Sequence, residues 1–423
     1  MKIIDLIAGA RPNFMKIASI IDALRAAQTR GSALQYRLIH TGQHYDRNMS
    51  GSFFEQLGIP APHVNLEVGS GTAAEQTSAI MTRYEKVLLE MRSDLCLVVG
   101  DVTSTMACAV VAQKLGVKVA HVEGGIRSGD WSMPEEINRL VTDSITNYFF
   151  TTSEMANDNL RRSGVGDDRV FFVGNTMIDT LLKHRPRFQK PEIWERIGLR
   201  EKDFFVLTLH RPANVDNDDT LKMLIAEIVR GTLGRNIVFP AHPRTARTLQ
   251  RIGIAAPNEC LPASPSIGLA SECAACSVPL TDRDTTLSSK RDFPKSGEVR
   301  SDSNSRLRSD GSPSNLYLIS PLTYLEFNYL VERALAVITD SGGITEESTV
   351  LRVPCMTLRD STERPETVTI GTNELVGTDP AKLAPYLERL FAGGWKKAAI
   401  PPLWDGSAGE RIVNHLEHLL VTK

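Results

Sequence analysis

The sequence predicts an α/β chain of two doubly wound units, and three observations predict it. Its 423 residues are too many for one core and suit two α/β domains. Short runs of consecutive apolar residues alternate with stretches of helical period, as strands buried on both faces alternate with crossover helices. Almost every predicted strand ends in a glycine or a polar residue with no packing duty, and ligands of open α/β sheets bind at those carboxyl ends.

The chain opens on a strand over Lys2–Ala8. Further strands are predicted over 36–41, Leu95–Val99, 117–122, 148–152 and 170–173, separated by helices over 14–27, 74–91, 104–115, 134–144 and 155–163. A stretch rich in Pro, Arg and Lys at 184–202 reads as a crossover. The pattern then restarts with strands over Phe204–Thr208, Asn236–Pro240, Leu316–Ile319, 335–339 and 355–358. Residues 1–183 and 184–406 are therefore expected to form two Rossmann-like domains that meet across one cleft. Residues 257–315 break the pattern, being dominated by Ser, Asp, Arg and Pro, and are expected to form a flexible insertion.

Composition narrows the function. Hydrophobic residues make up 42% and charged residues 23%, and the net charge of −2 argues against a nucleic-acid or anionic-membrane partner. The N-terminal apolar run is too short for a signal-peptide core, and no stretch approaches a transmembrane length. Scattered cysteines fit a reducing, cytoplasmic location. Cys260, Cys273 and Cys276 lack a fourth ligand nearby, so no metal site is expected.

Several segments carry chemistry. After the first strand comes Gly9-Ala10-Arg11-Pro12-Asn13-Phe14-Met15-Lys16, where N–H groups, Arg11 and Lys16 aim at one spot suited to an anion. Read alone, the same residues equally describe a capped helix with a solvated arginine. Gly-x-Gly-x-x-Gly is absent there, so the dinucleotide fingerprint is missing. Asp101 and Glu123 each follow a buried strand, and Glu135 and Glu136 follow Pro134 at a helix start. Glu135 and Glu136 could simply complement the helix dipole, whereas an acid at a strand's inner end must be hydrated, paired or working. His210 and His242 occupy equivalent strand ends in the second half, and two such histidines point to function more than one does. Ser341-Gly342-Gly343 opens a helix with N–H donors suited to a diphosphate, and Glu347 lies about one turn further on, in reach of two ribose hydroxyls. Arg364 adds a cation.

In this order and spacing the segments resemble the UDP-N-acetylglucosamine 2-epimerase family along nearly the whole chain, apart from the insertion. They include residues 9–16, Gly42-Gln43-His44, Gly100-Asp101, residues 121–127, Pro134-Glu135-Glu136-Ile137-Asn138-Arg139, Val173-Gly174-Asn175-Thr176, His210-Arg211, residues 340–347 and residues 362–366. The resemblance implies a GT-B-like arrangement, a homodimer, a role in polysaccharide biosynthesis and a C-terminal helix near 407–423 that returns to the first domain. It implies catalytic roles for Asp101, Glu123, Glu135 and His210, and UDP-sugar contacts for Arg11, Lys16, Phe327, Ser341, Gly342, Gly343, Glu347 and Arg364. Leu322 stands where some members have Gln at the uracil edge. Regulated members carry Gln-His-x-Gln to hold a second UDP-sugar; this chain has Gln43-His44-Tyr45-Asp46, and the added carboxylate predicts loss of that activation. Gln43, His44 and His242 are the candidates for such a second or cleft site.

The implied chemistry explains the residue types. A sugar C2–H is not acidic, but breaking the anomeric C1–O bond first makes it so. A carboxylate then takes the proton, leaving 2-acetamidoglucal and UDP, and re-addition with protonation on the other face inverts C2. Asp101 and Glu135 are the acid/base candidates, with Glu123 and His210 supporting or relaying protons; which acid serves which face stays open. No hydride moves, so no cofactor is expected. The rival readings are a 2-epimerase of a UDP-diacetamido uronic acid, a GT-B glycosyltransferase, and a UDP-sugar sensor without catalysis.

Overall fold

The computed structural model describes residues 1–9, 11–42, 54, 56–254 and 315–421. The expected insertion, apart from Asn315, lies outside the described residues together with its three cysteines, residues 43–46 and the Arg11 side chain. Strands β1 (Lys2–Ala8), β2 (Leu34–His40), β3 (Val64–Asn65), β4 (Leu95–Val99), β5 (Lys118–Val122), β6 (Tyr148–Thr151) and β7 (Val170–Phe172) form one parallel sheet, in the order β3-β2-β1-β4-β5-β6-β7. Strands β8 (Phe204–Thr208), β9 (Asn236–Pro240), β10 (Leu316–Ile319), β11 (Ala336–Thr339), β12 (Cys355–Thr357) and β13 (Asn373–Leu375) form a second, also parallel, in the order β10-β9-β8-β11-β12-β13. Each sheet reverses its winding once, between β1 and β4 and between β8 and β11. A crevice opens at the carboxyl ends of such a pair because the flanking helices leave in opposite directions.

The strands are β for the reason their sequence suggests. All five residues of β4, Leu-Cys-Leu-Val-Val, are buried, because helices cover both faces of the sheet. Burying each such side chain contributes about 1.5–3 kcal/mol before entropy is counted. Polar groups within this layer are paired: Asp5, within β1, accepts a two-pronged bond from Arg37 at 2.7 and 2.9 Å and one from the Tyr84 hydroxyl at 2.9 Å. Among the described residues, Cys96, Cys108 and Cys355 are free and buried, and no helix is long and apolar enough to cross a membrane.

The first sheet is flanked by α1 (Arg11–Thr29), α2 (Ala73–Glu90), α3 (Thr103–Lys114), α4 (Pro134–Ile145), α5 (Glu154–Arg162) and α6 (Thr176–His184). The crossover carries α7 (Glu192–Arg196); the second unit has α8 (Pro212–Val215), α9 (Asp218–Gly231), α10 (Pro243–Arg251), α11 (Tyr324–Arg333), α12 (Gly342–Val350), α13 (Pro365–Thr369) and α14 (Ala384–Phe391). The last helix, α15 (Ala408–Leu420), packs on α1 and α6 of the first unit. Its first N–H groups, at Ala408 and Gly409, donate to the Asp179 carboxylate at 3.1 and 2.7 Å. A Cβ at Gly409 would lie 2.7 Å from the Ser19 carbonyl oxygen, so only glycine lets the two helices approach this closely. β3 and β13, which the apolar pattern does not reveal, are edge strands of two and three residues.

Candidate active site

The site grows from the two winding reversals. Past β4 the chain turns at Gly100, whose φ of +69° suits glycine, and a Cβ there would stand 3.2 Å from the Lys16 Nζ. The turn delivers Asp101, which pairs with Arg139; the Arg139 Nη1 also donates to Glu136 at 2.8 Å. Asn138 donates to the Asp101 carbonyl at 2.8 Å, so two residues of α4 hold the turn. Glu136 is consumed structurally: it accepts from the Ser128 and Gly129 N–H groups at 2.9 and 3.1 Å and fixes the loop before α4. Its neighbour Glu135 is half-buried and lines a cavity of about 590 Å³.

Under the turn lies His121, wholly buried, with Nδ1 2.7 Å from Asp143 and Nε2 2.7 Å from the Gly100 carbonyl oxygen. Asp143 also accepts from the Gly125 N–H at 3.0 Å and pairs with Arg127 at 2.6 Å. Neighbouring strand ends, and hence Asp101 and Glu123, are thereby tied into one frame.

Glu123 is the hub where the two units meet. Its backbone takes the left-handed region, at φ +68°, which is uncommon for a residue with a Cβ and marks a site fixed by its surroundings. Its Oε2 accepts from the Lys16 Nζ at 2.6 Å and from the Arg364 Nη2 at 2.9 Å, across the cleft floor. Arg364 also meets Glu346 through Nε at 2.8 Å, and Glu346 accepts from the Asn175 Nδ2 at 2.8 Å. Burial alone would raise the Glu123 carboxyl, but Lys16 and Arg364 outweigh it and hold it down at about 2. Burial pushes Glu346 up to about 7 against the pull of Arg364, and Glu366 nearby is raised by burial as well. The charge balance supports these directions: Lys16 and Arg364 offer two positive charges to three buried carboxyls. Lys16 and Arg364, expected from the sequence to face a diphosphate, are thus found on carboxylates, because a buried cation is stable only beside a counter-charge.

The second unit supplies the opposite wall. His210, just past β8, lines the same cavity as Glu135, with Arg211, Arg359 and Ser361. Its Nδ1 lies 2.8 Å from Asp340, just past β11. Arg359 pairs with Glu363 at 2.6 Å; burial would raise that carboxyl, but Arg359 holds it at about 2. α12 starts beside this pair, since a Cβ on Gly342 would lie 2.9 Å from the Glu363 Oε1. Ser341 is the N-cap residue of α12, and Gly343 abuts Met177 of α6. Glu347 is buried with Tyr324 and Asn328 of α11 as neighbours; burial pushes it up to about 7. Phe327, on that helix, is half-buried against the core. The sequence expectation for Glu347 is a ribose contact; in the structure its carboxyl lies beside Tyr324 and Asn328 of α11, the helix of Phe327. His242 is exposed and caps α10, its Nδ1 accepting from the Arg244 N–H at 3.3 Å; it does not line the cavity with His210.

The structure therefore brings Glu135 and His210 to one cavity, sets Asp101 beside α4, and joins Lys16, Glu123 and Arg364 in one cluster. Arg139, Asp143, Asn175, Asp340 and Glu346 were not singled out from the sequence. Each lies in or near a quoted segment, but only the fold gives it a partner.

Comparison with known proteins matches this geometry. A family profile described as UDP-N-acetylglucosamine 2-epimerase matches residues 26–281 and 293–417. The UDP-N-acetylglucosamine 2-epimerase of Methanocaldococcus jannaschii is 37% identical over 422 residues, covering 98% of this chain and 99% of that protein. A UDP-2,3-diacetamido-2,3-dideoxy-D-glucuronate 2-epimerase of Pseudomonas aeruginosa is 34% identical over 381 residues, covering 89% and 88%. The crystal structure of the M. jannaschii UDP-GlcNAc 2-epimerase in complex with UDP-GlcNAc and UDP superposes with a TM-score of 0.76 at 36% identity, covering 99% of this chain and 100% of that one. Two parallel sheets in the GT-B-like arrangement, a cleft at their winding reversals and a match over nearly its full length place this chain in the UDP-N-acetylglucosamine 2-epimerase family.

Proposed function

We propose that the chain interconverts UDP-N-acetylglucosamine and UDP-N-acetylmannosamine by eliminating UDP to 2-acetamidoglucal and adding it back with C2 inverted. The observation that carries this reading is the pairing of Glu135 and His210 on opposite walls of one cavity, with Asp101 anchored beside α4. Proton removal from one face of C2 and delivery to the other needs two such groups within reach of one carbon. The N–H groups that open α12 favour charge building on the departing diphosphate. Glu123, held ionised between two cations, supports the frame and the field more than proton transfer. No step moves a hydride, so the chemistry requires no nicotinamide cofactor.

Incubation with UDP-N-acetylglucosamine in D2O, followed by NMR, tests substrate and mechanism together. Deuterium at C2 of both epimers is expected; inversion that retains the original hydrogen would overturn elimination. The P. aeruginosa relative supports a second reading, in which a UDP-diacetamido uronic acid is the substrate. Parallel assays with both nucleotide sugars separate the two by kcat/KM. A homodimer and a cytoplasmic location belong to the same proposal, and light scattering on the purified protein tests the first.

A further inference from the structure

We infer that Asp340 is the positioning residue that sets His210 for proton transfer, an assignment that rests on the role proposed for His210 above. β8 and β11 flank the winding reversal of the second sheet and are paired in register, with Thr208 beside Thr339. The residues that follow each strand, His210 and Asp340, therefore meet at the crevice. Asp340 is wholly buried and accepts from the His210 N–H at 3.0–3.1 Å, the Arg211 N–H at 2.9 Å and the Asn214 Nδ2 at 3.1 Å. Asn214 in turn donates to the Leu358 carbonyl at 3.1 Å, tying the pair to the segment after β12. These donors stabilise a carboxylate, which can only accept. The 2.8 Å contact to the imidazole therefore requires the proton to sit on the His210 Nδ1. Nε2 is then the nitrogen left for the cavity that His210 shares with Glu135. The ring, half exposed and otherwise free to rotate, is thereby given one tautomer and one orientation, which is what a group acting on a single carbon needs.

Asp340 also holds the backbone of residues 210 and 211, so a loss of activity in a variant is not enough to distinguish orientation from support. The first measurement uses the wild-type protein: 15N NMR with labelled histidine, assigned through His210→Asn. A proton on Nδ1 of His210 is expected; a neutral ring protonated on Nε2 alone would overturn the proposal. The second is a double-mutant cycle on turnover with Asp340→Asn and His210→Asn. Each single variant should lower kcat by about a hundredfold or more, with UDP affinity by calorimetry little changed. In the His210→Asn background, Asp340→Asn should cost little more, because its effect is transmitted through the ring. Additive losses would mean that Asp340 only supports the fold, and would defeat this proposal while leaving His210 catalytic. Wild-type turnover in His210→Asn would instead defeat the role given to His210, and Asp340's with it.

Discussion

At the scale of single residues, charge decides what each acid can do. Glu135 lines the cavity with His210, and Asp101 is held beside it by Arg139, so on the proposed function Asp101→Asn and Glu135→Gln should each lower kcat by ~10²–10⁴, the usual worth of general acid/base catalysis. UDP affinity by calorimetry should change little; near-normal turnover in either variant would remove that residue from the mechanism. The buried cluster predicts a pH dependence of stability. Glu346 is raised from 4.5 to about 7, so the fold prefers its protonated form. Its contribution is complete below about 4.5 and is lost as pH rises through 7. Glu123, depressed to about 2, works in the other direction: its contribution is present above about 4.5 and is lost as pH falls toward 2. Between these limits the ionisation of Glu346 weakens the protein on the alkaline side. Glu346→Gln should therefore reduce the fall in Tm between pH 5 and 8, about the window of that shift. Scanning calorimetry across that range checks it, and an unchanged slope would mean that Glu346 does not titrate there.

At the scale of elements, helix starts place the site. α11, which carries Phe327 and packs on Glu347, begins with a reciprocal capping box between Thr323 and Glu326. The Thr323 hydroxyl accepts from the Glu326 N–H, while the Glu326 carboxylate accepts from the Thr323 N–H at 3.1 Å. Thr323→Ala should cost ~0.5–2 kcal/mol by denaturant titration. UDP should bind more weakly too if α11 carries part of the nucleotide site; lost stability with unchanged UDP affinity would separate the helix from binding. α4 works by the same logic: Pro134 fits its first turn, and two acids follow at the positive end of the helix dipole. One of the two, Glu136, is spent on the preceding loop, which leaves Glu135 facing the cavity.

At the scale of the whole molecule, two of the ties that hold the units against each other bear on the site. Arg364 reaches from the second unit to Glu123 and to the Thr152 hydroxyl of the first, and Asn175 reaches back to Glu346. The other tie is α15, whose contact with α1 depends on Gly409. Gly409→Val would push a side chain against the Ser19 backbone and should destabilise the protein by ~1–3 kcal/mol, as overpacking does. Thermal unfolding measures this; an unchanged Tm would show that α15 does not need so close an approach. The same variant should lower turnover, since α15 returns the chain to the unit that carries Asp101 and Glu135.

Most strands of both sheets are legible along the chain because parallel strands covered on both faces are nearly continuous apolar runs, as β4 is. Edge strands β3 and β13 are not, because two or three residues carry no period. Segment order also pointed to the family and, through it, to Glu135, while a polar residue left just past a buried strand singled out Asp101 and His210. Tertiary structure alone decided partnership. Glu135 and Glu136 are adjacent acids in sequence, yet one is locked to a loop and the other lines the cavity. Asp340 and His210 lie 130 residues apart along the chain and meet only because β8 and β11 are neighbours in the sheet. Charge state is likewise a property of the assembled cluster. Glu123 and Glu346 are the same residue type and burial raises both, but the two cations that touch Glu123 pull it down while burial prevails at Glu346.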